Sequence, residues 1–65
     1  MTAKEALAEL DKVTSRLRDL EADLQRAING PGSAAVPQLQ QEISEAMARR
    51  EWLREQLQQI QQSEG

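Results

Sequence analysis

The side chains with chemical reach in this sequence are carboxylates, guanidiniums and one indole. There is no Cys and no His, which removes disulfides, thiolate nucleophiles and the commonest metal ligands, and leaves oxygen donors for a hard cation. The carboxylates Glu5, Glu9, Asp19, Glu21, Asp23, Glu42, Glu45 and Glu51 fall where a solvated helix surface carries charge. Several have a basic residue three or four positions away, as in Asp23/Arg26 and Glu45/Arg49. The sharper alternative is a carboxylate-bridged metal site built across a dimer. Catalysis requires a concave pocket with convergent, perturbed groups, and no such grouping is read here. The sequence is therefore read as a non-enzyme, with no catalytic residue, cofactor site or metal ligand assigned.

The basic and aromatic residues form the other chemical group. Arg16, Arg49 and Arg50 and the lone aromatic residue, Trp52, are candidates for partner recognition: the arginines by meeting carboxylates of another chain, and Trp52 as a type enriched among interface hot spots. What they can recognise depends on the elements that hold them.

Those elements are two helices. Thr2-Ala3-Lys4-Glu5 is a capping box, in which the Thr2 hydroxyl accepts from the Glu5 N–H and the Glu5 carboxylate reaches back. From there Ala3, Leu10, Leu17 and Leu24 fall at heptad position a, and Ala6, Val13, Leu20 and Ala27 at d. Asn29-Gly30-Pro31-Gly32-Ser33 breaks the pattern. Asn or Gly supplies a left-handed helix terminus there, and Pro31 cannot continue the ladder. A second helix begins near Pro37, or slightly earlier with Ser33 as its cap. Its a positions read Val36, Ile43, Arg50 and Leu57, and its d positions Leu39, Ala46, Leu53 and Ile60. The expected organisation is one all-α domain over residues 1–65, with helix 1 at 2–29, a turn at 30–36, helix 2 at 37–62, and a frayed Ser63-Glu64-Gly65.

A turn this short forces the helices antiparallel. Pairing a against d stacks Leu24 on Leu39, Leu20 on Ile43, Leu17 on Ala46, Val13 on Arg50 and Leu10 on Leu53. Arg50 is thus the one charged residue on the seam. Either its stem packs while the guanidinium snorkels out, or it fixes partner choice by meeting a carboxylate of another chain. The g positions oppose Asp23 to Glu42 and Arg16 to Arg49, a like-charge edge that an isolated hairpin gains nothing from and that a second copy or partner can match. The e positions carry Leu7, Ile28 and Met47, which widens the apolar stripe beyond the needs of two helices. Trp52 sits at c, away from the seam, as a rim residue or an anchor. Ala8, Ser15 and Ala22 at f are small enough to admit another helix. The Gln-rich end of helix 2, with five of the nine glutamines between positions 56 and 62, reads as a solvated surface.

Sixty-five residues bury too little surface to be comfortably stable without a staple, and association is the staple left. The hairpin is accordingly expected to dimerise into a four-helix bundle or to join another helical protein. The net charge of −3, with both signs interspersed, argues against a nucleic-acid surface, for which a basic face is the footprint. No apolar leader and no membrane-length stretch is read, so no membrane partner is expected and the cytoplasm is the expected compartment.

The steps Glu9-Leu10, Asp23-Leu24, Val36-Pro37 and Leu53-Arg54-Glu55-Gln56-Leu57, which span most of residues 9–57, resemble the small Rop-like hairpin proteins encoded among bacterial nitrogen-fixation genes. The resemblance implies a homodimeric four-helix bundle and an accessory role without catalytic residues. Leu39-Gln40-Gln41 after a Gly-containing turn also resembles the co-chaperones of type III secretion needle subunits, which implies a chaperone that holds a partner's helix. Three functions follow as expectations: a homodimeric helical-hairpin accessory or adaptor protein, a co-chaperone of that kind, and an RNA-binding hairpin dimer.

Overall fold

The computed structural model describes residues 1–64. Helix α1 runs Ala3–Asn29, a 3-10 turn occupies Ser33–Ala35, and helix α2 runs Val36–Glu64. The two helices pack along their length into a rod of 52 × 15 × 13 Å.

Local chemistry explains the start of α1. The Thr2 hydroxyl accepts from the Glu5 N–H at 3.1 Å, and Glu5 Oε1 accepts from the Thr2 N–H at 3.2 Å. Both halves of the capping box are therefore made. These bonds favour the ionised carboxyl and hold Glu5 below its ordinary carboxylate range, the backbone bond from Thr2 first and its hydroxyl second.

The turn differs from the left-handed terminus expected of Asn29 or Gly30. Asn29 is the last residue of α1, and Gly30 is extended at φ −133° and ψ −166°; no glycine among the described residues has positive φ. Glycine fits this point closely, since a Cβ on Gly30 would stand 3.0 Å from the Arg26 carbonyl oxygen, a tight contact that the backbone would have to relax by a few tenths of an ångström. The chain then enters α2 through the 3-10 turn, with the Ala35 N–H donating to the Gly32 carbonyl at 3.0 Å. That turn takes the place of a Ser33 side-chain cap, and Pro37 lies in the first turn of α2, where its missing N–H costs nothing. Helix continues through Glu64, so Ser63 and Glu64 are helical where fraying was expected; Gly65 lies outside the described residues.

Every a and d residue of both helices is at least partly buried. Leu17, Leu20 and Ala46 form the central cluster, with Val13, Leu39 and Ile43 packed against it. Ala6 and Leu53 are fully buried. This is the heptad seam read from the sequence, in antiparallel register. No described helix is long and apolar enough to cross a membrane.

Candidate docking surface

The seam has two unlike edges because of how a heptad wraps the helix. Positions g flank d, and positions e flank a, so in an antiparallel pair the g residues of both helices line one edge and the e residues the other.

On the g edge, Glu9, Glu42 and Gln56 are drawn in to partial burial. Arg16 Nη2 reaches across the seam to Glu42 Oε1 at 3.8 Å. This corrects the like-charge reading of that edge. Arg16 faces Glu42 rather than Arg49, because its long side chain crosses the seam on a diagonal. Asp23 is held by Arg26 on its own helix at 2.7 Å. The expected Glu45/Arg49 pair is likewise replaced. The Arg49 guanidinium lies 4.7 Å from the centroid of the Trp52 ring, a stack between residues three apart on one helix. Sequence reasoning singled out both residues without joining them; their i,i+3 spacing was the available signal. Trp52 remains 41% exposed beneath that stack. Lys12/Glu9 and Arg54/Glu51 complete the ion pairs, at 3.7 and 3.5 Å.

The e edge has the opposite character. Leu7, Ile28 and Met47 are 58%, 55% and 44% exposed, and all lie on this side of the seam. Isolated apolar residues on a surface need no explanation; these three are spaced along one edge, with Thr14, Glu21, Gln40 and Arg54 at e positions between and beside them.

Arg50 sits between the edges, at an a position that adjoins the e side. It is partly buried, and its Nε is buried with no hydrogen-bond partner. The stem packs as expected, but the guanidinium is not fully delivered to solvent. Leaving a buried polar group unpaired costs about 1–3 kcal/mol, and more for a charged one. Among the described residues neither Arg50 nor Glu21 makes an intrachain ion pair.

Little else on the rod is concave. A shallow open depression of about 440 Å³ is lined by Pro37, Gln38, Gln41, Glu42 and Glu45, all from one helix, so its groups do not converge. Among the described residues, no group of three or more carboxylates is arranged to hold a metal ion. Compared with known proteins, the chain matches no family model, no curated protein and no solved structure.

Proposed function

We propose that this protein is a non-catalytic interaction module, a helical hairpin that associates with a second copy of itself through its e edge to form a four-helix bundle. The observation that carries this reading is the exposure of Leu7, Ile28 and Met47 on one edge of a rod whose fully buried side chains are as few and small as Ala6 and Leu53. These side chains are already about half covered, so completing their burial stabilises by about half of the ~1.5–3 kcal/mol that full burial gives each, a contribution a hairpin this small needs.

The dimensions suit the reading. The rod is 52 Å long, so an edge that pairs along its length has room for the ~800 Å² that each partner contributes to a standard interface. A dimer joined at the e edge leaves the Arg49–Trp52 stack free on the opposite flank. That flank is where an accessory or adaptor protein would meet its client, since exposed Trp and Arg are the residues most often dominant in such contacts.

Sedimentation equilibrium of the full chain at micromolar concentration tests the proposal. It predicts the mass of two 7.3 kDa chains. A fully helical species at the mass of one chain would remove the self-association reading and leave a hetero-partner, as in the co-chaperone expectation, to supply the missing helices.

A further inference from the structure

Beyond self-association, the open edge carries information about how two copies align. Leu7 and Ile28 lie on the e stripe of α1, 21 residues apart, or about 32 Å at 1.5 Å per residue. Reversing α1 about the point between Leu17 and Arg18 exchanges Leu7 with Ile28 and Thr14 with Glu21. That reversal sets apolar against apolar at Leu7/Ile28 and polar against polar at Thr14/Glu21, an arrangement compatible with an isologous twofold contact.

Arg50 gains a partner in the same alignment. It is level with Val13 across the seam, one residue from Thr14, and the reversal that sends Thr14 to Glu21 brings the partner subunit's Glu21 to within about 1.5 Å of that level. We infer that two copies pack e edge to e edge with their turns at opposite ends, Leu7 against Ile28 of the partner subunit, and Arg50 completed by Glu21 of the partner subunit. The two Met47 side chains then meet near the twofold axis, offset by about 4.5 Å along the rod. Two groups with no intrachain ion pair are thereby paired twice by one symmetry operation, the partner's carboxylate meeting the Arg50 Nη groups, since the Nε is already enclosed by its own chain. The parallel alignment, with both turns at one end, brings Leu7 to Arg54 and Arg50 to Thr14, which strands the apolar residues and leaves the guanidinium without a carboxylate.

This inference rests on the self-association proposed above, and the experiment separates the two. Glu21→Arg and Arg50→Glu are each expected to raise the dimer dissociation constant about 30-fold or more, and the double exchange to recover most of that loss. Helicity by circular dichroism is followed for each variant, so that a folding defect in Arg50→Glu is recognised and Glu21→Arg, on the surface, carries the test. Because the chain has no Cys, single cysteines report alignment directly: a mixture of Leu7→Cys and Ile28→Cys is expected to form the mixed disulfide in preference to either homodisulfide. A wild-type dimer that tolerates Glu21→Arg, or in which Leu7→Cys and Ile28→Cys each pair with themselves, would overturn the alignment while leaving self-association intact. A wild-type monomer would overturn both.

Discussion

The g and e edges flank the same seam and are made by the same two helices, yet the chain treats them differently. The g edge is closed from within: Glu9, Glu42 and Gln56 fold in, and Arg16 crosses to Glu42. Long polar side chains cover the seam there and keep their charges wet. The e edge keeps Leu7, Ile28 and Met47 uncovered, and beside it an arginine keeps a buried Nε unpaired. One hairpin thus completes one of its edges. The contrast teaches that exposure of apolar side chains here follows the heptad geometry of the chain and is not a general looseness of a small protein.

Five perturbations break or sharpen that contrast. Leu53 belongs to the seam that both edges share and is fully buried, so Leu53→Ala is expected to cost about 2–5 kcal/mol in denaturant unfolding and to abolish both edges together. Met47→Ser addresses the open edge alone. A self-sufficient hairpin would lose under about 0.5 kcal/mol at such an exposed position, whereas covering the 44% of Met47 now exposed in both copies predicts a loss of about 1.3–2.6 kcal/mol per dimer, read as roughly ten- to hundredfold weaker association by sedimentation. Thr2→Ala lies outside both edges and is expected to remove about 1 kcal/mol of helix stability, read as a lower melting midpoint by circular dichroism with the dimer still formed at high concentration. Arg16→Ala tests the closed edge, where an exposed ion pair at 3.8 Å is worth about 0–1 kcal/mol; the expected change is small in both melting and association.

The smallest effect concerns pH. Glu5 titrates lower in the folded chain because Thr2 hydrogen-bonds its carboxylate, so its contribution is present above the ordinary carboxylate range and is lost as pH falls through the lowered value. A pH titration of helicity is expected to show that loss in the wild type, and Glu5→Gln to flatten it.

The heptad positions, the capping box and the antiparallel pairing were legible in the sequence because each depends on spacing along one helix or on the reach of one short turn. Leu17, Leu20 and Ala46 pack where their a and d places put them, and Leu7, Ile28 and Met47 are exposed, as e places outside the seam allow. The misread details depend on choices among near neighbours. Arg16 had Arg49 as its geometric opposite and Glu42 within reach of its long side chain; Arg49 had Glu45 one turn before and Trp52 one turn after. Spacing offers both partners in each case, and local rotamers decide. At Gly30 the sequence announced a break, but a left-handed residue and a tight approach to the Arg26 carbonyl both favour glycine, and the structure has the second.

The claim that the open edge is covered by a second copy makes folding and association one process. Thermal melting followed by circular dichroism over about a hundredfold range of protein concentration tests this most directly, because a folded dimer is stabilised by mass action. The account predicts a midpoint that rises steadily with concentration in the wild type and a weaker, down-shifted rise in Met47→Ser. A cooperative transition at the same temperature at every concentration would contradict it.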